Sequence, residues 1–257
     1  MALHLVNPLN ILSPTKGETM KAMILAAGLG TRLKPFTDRH PKALAVVNGK
    51  TVLQRNIEWL QQYGITEVIV NVHHFADQII NLISASNGWG SNVVISDETN
   101  EVLETGGGIK KAGWFLQQDA ISVVMNADIL TDLRLDKMIF QHQQKRPLAT
   151  LATANRQSSR YLLFEEDTVN GDLLKGWKNT KTHELKGMDA MPKAFSGIQV
   201  LSSEIFELIT AIGKFSMIDV YLDLCRKHPI LSFDHSESKL IDIGTMDKLA
   251  LAETLFK

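Results

Sequence analysis

The sequence has few of the features that mark secreted, membrane-spanning and nucleic-acid-binding proteins. It has 1 cysteine among 257 residues, which excludes an internal disulfide and a cage of zinc-binding thiolates. Its 27 basic and 28 acidic residues leave a formal net charge of −1, without a long run of like charge. We therefore expect no nucleic-acid partner, because attraction to a phosphate backbone needs an excess of positive charge. No apolar run approaches the roughly twenty residues of a membrane span, so we expect no membrane contact.

What the chain does contain is enough apolar material for a folded core, since 44% of its residues are hydrophobic. Residues 1–19 have no basic start, no unbroken apolar segment and no small-residue cleavage site, so they do not match a secretion signal. We expect them to be an appendage, and residues 20–257 to form one domain. The single cysteine and the lack of a secretion signal predict a cytoplasmic protein, as a monomer or a small homo-oligomer.

From Lys21 onward, short apolar runs alternate with amphipathic stretches of helical length, which is the pattern of β-α-β units. We predict an α/β fold with a Rossmann-like, mainly parallel sheet flanked by helices in residues 20–146. After Pro147 the strands become shorter, which predicts a smaller mixed β region in residues 147–257, with a hairpin turn at Asn170-Gly171. Strands are predicted at residues 22–26, 67–72, 92–96, 121–126, 148–154, 160–165, 173–178, 194–201 and 240–243, and helices at 51–63, 76–85, 108–117, 133–144, 203–212, 216–227 and from 245 onward.

Unusual residues follow the first predicted strand at its carboxyl end, where open α/β sheets bind their ligands. The run Ala26-Ala-Gly-Leu-Gly-Thr-Arg32 is a glycine-rich loop that lets backbone N–H groups approach an anion. Leu33 breaks the dinucleotide fingerprint G-x-G-x-x-G, and no Walker Gly-Lys-Ser/Thr follows. Arg32, Lys34 and Lys42 bring cations to this loop, which favours a diphosphate or triphosphate ligand. Lys34 also fits a solvated surface charge.

Two aspartates lie at the ends of other predicted strands. Asp128 directly follows the run Ser122-Val-Val-Met-Asn-Ala, and Asp242 directly follows Leu240-Ile. A carboxylate there is costly to bury alone, so we expect it to face the crevice and hold a hard divalent cation. The two residues predict a magnesium pair, and the alternative is that either one caps a helix.

The run Glu104-Thr-Gly-Gly-Gly108 is a second glycine cluster. Three consecutive glycines at a helix start are costly in backbone entropy, which favours the close approach of another group to this backbone. A flat nucleotide base is one interpretation, and a flexible lid loop is the other. No Ser/His/Asp or Cys/His arrangement stands out, which disfavours covalent catalysis.

The ordered motifs of this chain resemble those of the sugar-1-phosphate nucleotidylyltransferases. They are Leu25-Ala-Ala-Gly-Leu-Gly-Thr-Arg-Leu-Lys-Pro-Phe-Thr, Pro41-Lys42-Ala-Leu, Asn126-Ala-Asp128, Phe195-Ser-Gly197 and Asp242-Ile-Gly-Thr, and they cover nearly the whole chain from Met23 onward. Within that family, Leu103-Glu-Thr-Gly-Gly-Gly-Ile-Lys-Lys-Ala is most similar to the N-acetylmuramate 1-phosphate uridylyltransferase branch.

The resemblance implies a reaction in which a sugar phosphate attacks the α-phosphate of a nucleoside triphosphate and releases pyrophosphate, with Mg²⁺ as cofactor. It implies catalytic roles for Arg32, Lys42, Asp128 and Asp242, the two aspartates also being the metal ligands. The implied nucleotide-binding residues are Ala26, Ala27, Gly28, Gly30, Thr31, Asn71, Glu104, Thr105, Gly106 and Gly107. The implied sugar-phosphate residues, mostly in residues 147–257, are Asn126, Ser196 and Gly197, with a lysine among Lys175, Lys178 and Lys193.

We therefore predict an enzyme whose partners are a nucleoside triphosphate, with UTP favoured, and a sugar 1-phosphate. The first expectation for the product is UDP-N-acetylmuramate, a cell-wall sugar nucleotide. The alternatives are a mannose-1-phosphate guanylyltransferase and a glucose-1-phosphate thymidylyl- or uridylyltransferase. A hypothesis from another class is a regulatory module that binds the nucleotide sugar without turnover.

Overall fold

The structure is a computed structural model, and it describes residues 20–169 and 171–257. The predicted appendage at residues 1–19 lies outside the described residues, and so does Asn170 of the predicted turn. The strands on either side of that turn pair antiparallel, as a hairpin requires, with Leu173 opposite Glu165. Among the helices of the described ranges, none combines the length and the apolar character that a bilayer span requires.

Strands and helices alternate through the first half, which confirms the predicted α/β fold. The described strands are β1 Lys21–Leu25, β2 Val46–Val47, β3 Lys50–Thr51, β4 Glu67–Val72, β5 Asn92–Asp97, β6 Ile121–Asn126, β7 Ile129–Thr131, β8 Ala149–Ala154, β9 Arg160–Glu165, β10 Leu173–Asn179, β11 Glu184–Gly187, β12 Met191–Ser202, β13 Ile230–Asp234 and β14 Leu240–Asp242. The described α-helices are α1 Val52–Gln61, α2 Ala76–Ala85, α3 Glu104–Lys111, α4 Gly113–Leu116, α5 Leu135–Lys145, α6 Ile205–Leu208, α7 Met217–Leu224 and α8 Met246–Leu255.

The two halves of the chain share a 10-stranded sheet with the order β11-β10-β13-β8-β12-β6-β1-β4-β5, and β9 pairs with both β10 and β12. The strands β6, β1, β4 and β5 run parallel to one another, as predicted for the Rossmann-like half. Strand β12 runs antiparallel to both β6 and β8, so it joins the mixed second half to the parallel first half.

The parallel strands carry apolar side chains on both faces because helices cover both faces. On one face, Ile24, Val70 and Val123 pack with residues of α1, α2 and α5. On the other face, Met23 and Val124 pack with residues of α3, α4 and α7. Burial on both sides is what makes these strands continuous apolar runs in the sequence.

Three elements of the second half differ from the sequence prediction. Strand β11, Glu184–Gly187, was not predicted, and it pairs with β10. The helix predicted at residues 203–212 ends at Leu208. The chain then runs along α3, where Lys110 Nζ donates to the Ala211 carbonyl at 2.7 Å. Strand β13 was not predicted, and it pairs with β8 through the register Ile230↔Ala149. A run this short becomes a strand because of the neighbours it pairs with, which a local pattern does not contain.

His142 on α5 is buried between the helix and the sheet, with 1% of its surface exposed. Ser202 Oγ donates to the Pro147 carbonyl at 2.7 Å, so it accepts from His142 Nε2, which lies 3.0 Å away. His142 Nδ1 then accepts from Thr150 Oγ1 at 2.9 Å. Both ring nitrogens are satisfied in the neutral form, and burial lowers the pKa of His142 to about 4.

We expect this histidine to make the stability of the protein depend on pH. Its folded-state pKa lies below its unfolded value of 6.5, so the unfolded chain takes up the proton more readily. The stabilisation is complete above pH 6.5 and is lost as the pH falls towards 4. Between pH 7 and pH 5 this costs about 2 kcal/mol. Urea unfolding at both pH values measures the free energy of unfolding. From pH 7 to pH 5 it should fall less in His142→Asn than in wild type, and in the exposed control His183→Asn it should fall as much as in wild type.

Candidate active site

Asp128 and Asp242 are brought together by the pairing of two short strands. Strand β14 pairs antiparallel with β7, which places Asp242 opposite Ile129, the residue after Asp128. The Ile243 N–H donates to the Asp128 carbonyl at 2.9 Å, which extends the pairing by one step. The ammonium of Lys42 contacts Asp128 Oδ2 and lies 3.7 Å from Asp242 Oδ1. The structure therefore assembles three residues that are far apart in the sequence.

The carboxylate oxygens of these aspartates are ligands of the kind that Mg²⁺ takes in proteins. Asp242 Oδ1 is buried and accepts no hydrogen bond, so a ligand oxygen is available. In the described ranges, no cluster of three or more His, Cys, Asp or Glu side chains has the arrangement of a metal site. Mg²⁺ commonly takes one or two carboxylates and completes its shell with water and phosphate oxygens. Asp128 and Asp242 would supply the carboxylates.

The loop after β1 opens onto a cavity of about 370 Å³. Gly30 has a positive φ of 62°, and a Cβ on it would lie 3.0 Å from Thr37 Cγ2 and 3.1 Å from Lys42 Cβ. The missing side chain therefore lets the loop pack against the stem of Lys42. Most of the predicted nucleotide and catalytic residues line this cavity, namely Ala26, Ala27, Gly28, Gly30, Thr31, Arg32, Lys42, Asn71, Glu104, Thr105 and Asp128.

Asn71, at the carboxyl end of β4, forms part of the cavity wall and is 2% exposed. Its Oδ1 accepts from the Ala26 N–H at 2.7 Å, which ties the start of the glycine-rich loop to the neighbouring strand. Its Nδ2 donates to Glu98 Oε1 at 2.8 Å. A single side chain thus links two strand ends at the cavity.

The second glycine cluster lies inside α3, which begins at Glu104, four residues before the predicted start at 108. Gly106 and Gly107 do not line the cavity. Their N–H groups donate to the Phe215 carbonyl at 2.9 and 3.4 Å. A Cβ on Gly107 would lie 2.3 Å from the Gly213 carbonyl oxygen. The close approach expected at these glycines is therefore made by residues 213–215 of the protein itself, while Glu104 and Thr105 face the cavity.

Of the predicted sugar-phosphate residues, only Asn126 lines the cavity. Gly197 lies behind it, because a Cβ there would be 2.6 Å from Asn126 Nδ2. Ser196 is 1% exposed, and its hydroxyl lies 2.7 Å from His235 Nε2. Gly197 therefore packs against the cavity residue Asn126, and neither Ser196 nor Gly197 lines the cavity itself.

The three candidate lysines do not line the cavity. Lys175 Nζ lies 3.1 Å from Glu165 Oε2, and Lys178 Nζ lies 3.7 Å from Asp189 Oδ1. The side chain of Lys193 is 12% exposed and is paired with Asp172 at 2.5 Å. The assignment of a sugar-phosphate lysine stays a prediction.

Several cavity residues were not predicted. They are Leu25, Ala43, Val102, Ala127 and Gly244. Gly244 has a signal in the sequence, since it stands in the run Asp242-Ile-Gly-Thr. A Cβ on it would lie 2.9 Å from Asp242 Oδ1 and 3.4 Å from Arg32 Nη2, so glycine leaves room for both charged groups. Leu25, Ala43 and Ala127 also stand in the quoted motifs, whereas Val102 lies outside them and is revealed by the fold.

Residues 21–254 match the family model described as nucleotidyl transferase. The chain belongs to the nucleotidyl transferase family. It is 31% identical over 238 residues to an N-acetylmuramate α-1-phosphate uridylyltransferase of Neisseria meningitidis serogroup B, covering 92% of this chain and 98% of that relative. The resemblance to the sugar-1-phosphate nucleotidylyltransferases, and to this branch of them, is confirmed. The prediction that the chain is an enzyme of this class is confirmed as well.

Solved structures share this fold over nearly the whole chain. The structure of HddC from Yersinia pseudotuberculosis in complex with GMP-PN matches with a TM-score of 0.72 and 27% identity, covering 93% of this chain and 100% of that one. An apo UDP-glucose pyrophosphorylase matches with a TM-score of 0.76 and 16% identity, covering 93% of this chain and 98% of that one. At that identity the second match shows the fold alone.

The contact between Gly197 and Asn126 gives a prediction for this nucleotidyl transferase. Gly197 and Gly64 share a φ of 74°, but no atom lies within 4 Å of a Cβ on Gly64. Gly64→Ala should therefore cost only the backbone strain, about 1–2 kcal/mol. Gly197→Ala should cost about 1–3 kcal/mol more, because the new methyl group overlaps Asn126. Urea unfolding of both variants measures the difference, and equal losses would contradict the contact.

Proposed function

We propose that the protein transfers a nucleotidyl group from a nucleoside triphosphate, with UTP favoured, to a sugar 1-phosphate. The observation that carries the proposal is one cavity that combines the glycine-rich loop after β1 with Arg32, Lys42 and Asp128, and that has Asp242 at its edge. The loop suits the phosphate chain of a nucleotide, and the charged residues suit the neutralisation of phosphate charge.

In the proposed reaction, a phosphate oxygen of the sugar 1-phosphate attacks the α-phosphorus of the nucleotide. A new P–O bond forms, the bond to the β-phosphate oxygen breaks, and pyrophosphate leaves with the electron pair. No proton has to move and no covalent enzyme intermediate is needed, so catalysis rests on positioning and charge neutralisation. Arg32 would neutralise the departing pyrophosphate, and Lys42 would contact the phosphates around the α-phosphorus.

We propose Mg²⁺ as the cofactor, held by Asp128 and Asp242. When bound, the ion supplies charge neutralisation and polarises the phosphate under attack. The chain itself would contribute the two carboxylates. Lys42 pairs with both of them, and Lys248 Nζ lies 3.4 Å from Asp242 Oδ2, so the negative charges are balanced by lysines.

UDP-N-acetylmuramate is the proposed product, which would place the enzyme in cell-wall sugar metabolism. The support is the similarity to the Neisseria uridylyltransferase over nearly the whole length of both chains. The similarity to HddC, whose structure contains GMP-PN, keeps a guanylyltransferase as the alternative. We also propose a cytoplasmic location, which the single cysteine favours.

The activity is tested by measuring pyrophosphate release with Mg²⁺. UTP, GTP, dTTP and CTP are each combined with N-acetylmuramate 1-phosphate, mannose 1-phosphate and glucose 1-phosphate. We expect the highest rate with UTP and N-acetylmuramate 1-phosphate. Release with another pair would reassign the substrates, and nucleotide binding without release from any pair would favour the regulatory module.

The metal assignment is tested by Asp128→Asn and Asp242→Asn. Each variant removes one charged oxygen ligand and little packing, so we expect Mg²⁺-dependent turnover to fall by at least about a hundredfold while thermal unfolding changes little. The control is Asp223→Asn, an exposed carboxylate outside the cavity. Full activity in either site variant would remove that residue from the metal pair.

A further inference from the structure

Glu98 is a buried carboxylate beside the cavity to which neither the sequence nor the proposed mechanism gives a role. It follows β5 and is 2% exposed. In the described part of the chain, none of the ion pairs includes it. Burying an acidic side chain without a cation is costly, and the cost is tolerated where hydrogen bonds satisfy the group.

The hydrogen bonds of Glu98 connect it to the cavity wall. Its Oε1 accepts from Asn71 Nδ2 at 2.8 Å, and its Oε2 accepts from the Leu103 N–H at 3.3 Å. Asn71 Oδ1 in turn accepts from the Ala26 N–H at 2.7 Å. Two of these residues, Asn71 and Ala26, line the cavity, whereas Glu98 itself does not.

The chemistry of a carboxylate explains the direction of this chain of hydrogen bonds. An ionised carboxylate only accepts, so the asparagine must turn its Nδ2 towards Glu98. Its Oδ1 then faces the Ala26 N–H. An asparagine amide by itself has two orientations of nearly the same shape, and its partners decide between them. Glu98 therefore fixes which edge of the Asn71 amide meets the glycine-rich loop.

The helix α3 leaves room for this arrangement. A Cβ on Gly108 would lie 2.8 Å from Glu98 Oε1 and 3.0 Å from Asn71 Nδ2. Any larger residue at this position would therefore push into the hydrogen bond between the two side chains. The third glycine of the cluster is thus explained by the Glu98–Asn71 pair rather than by a ligand.

We propose that Glu98 is a positioning residue for nucleotide binding. By orienting Asn71 it holds the Ala26 end of the glycine-rich loop in the conformation that accepts the nucleoside triphosphate. One further Nδ2 proton and one further Oδ1 lone pair of Asn71 remain for the nucleotide. The inference rests on the proposed function, because it requires the nucleotide to lie in the cavity that Asn71 lines.

The hydrogen bond between Glu98 and Asn71 suggests a test in which the carboxylate and the amide are exchanged between the two positions. In Glu98→Gln, a single amide oxygen replaces the two carboxylate oxygens that accept from Asn71 Nδ2 and from the Leu103 N–H. The new amide nitrogen then faces one of these two donors, and that hydrogen bond is lost. In Asn71→Asp, two carboxylates face each other. In the double variant the new carboxylate at position 71 accepts from the Ala26 N–H and from the new amide nitrogen at position 98, and the amide oxygen accepts from Leu103. The double variant restores the net charge and the hydrogen bonds among positions 26, 71, 98 and 103, but it places the carboxylate on the cavity wall and removes the Nδ2 donor that remained for the nucleotide.

The experiment measures the dissociation constant of UTP by calorimetry for wild type, both single variants and the double variant. We expect each single variant to bind UTP about tenfold or more weakly, as for the loss of a hydrogen bond to a charged group. We expect the double variant to lose clearly less than the product of the two single losses, because it restores the hydrogen bonds between positions 71 and 98, and the loss that stays reflects the carboxylate facing the nucleotide. In turnover assays with N-acetylmuramate 1-phosphate, the KM for UTP should follow the dissociation constants, while kcat and the KM for the sugar phosphate stay within about twofold. The matched control is Glu101→Gln, an exposed glutamate in the same loop, which should behave as wild type.

Thermal unfolding of the four proteins separates positioning from folding. Unchanged UTP binding in Glu98→Gln would overturn the inference, and so would a double variant whose loss equals the product of the single losses. A lower kcat, higher KM values for both substrates and a lower unfolding temperature would together show a structural role for Glu98. That result would also overturn the inference. Failure of the proposed function has a different signature, because wild type and Glu101→Gln would then not bind UTP either.

Discussion

Two carboxylates held side by side repel each other unless a cation lies between them, and here Lys42 lies between Asp128 and Asp242. The three residues come from a turn after the glycine-rich loop, from the end of β6 and from the end of β14. Each of these positions has a fixed place only when the sheet, the β7–β14 pair and the loop have all formed. The charge balance at the cavity thus depends on the whole first half of the fold and on a strand near the end of the chain.

Glycines set the positions of the polar side chains around the cavity. Gly30 gives space to the stem of Lys42, Gly108 to the Glu98–Asn71 pair, and Gly197 to Asn126. In each case a Cβ would lie within 3.1 Å of the side chain that the glycine accommodates. At contacts this short the neighbouring group would have to move, and the interior is too densely packed to allow that at low cost. The glycines therefore control side-chain geometry as much as they control backbone direction.

The continuous sheet explains how the second half contributes to the site. Strand β12 lies against β6, with Ile198 opposite Met125, so the residues before Ile198 reach past the carboxyl end of β6. Gly197 thereby contacts Asn126 at the edge of the cavity. A sugar-phosphate surface in this half would lie next to the nucleotide side without a separate domain having to dock.

The class of the fold and the chemical character of the site can be predicted from the sequence alone. Continuous apolar runs identify the buried parallel strands, because such strands are covered by helices on both faces. The glycine-rich loop, the basic residues after it and the isolated aspartates identify a phosphate-binding site at the strand ends. Most of the residues predicted on these grounds do line one cavity.

The contacts between residues, and the group that makes each close approach, become visible only in the folded structure. The start of α3, the strand β13 and the role of Gly106 and Gly107 depend on partners that are distant in sequence, such as Phe215 and β8. The same holds for Glu98, whose neighbours in the sequence give no sign that it meets Asn71. Periodicity and local propensity report on a residue and its near neighbours, whereas these contacts arise when separate segments pack against each other. The physical reason is that burial and hydrogen-bond satisfaction are properties of the packed whole, and a local pattern contains only part of them.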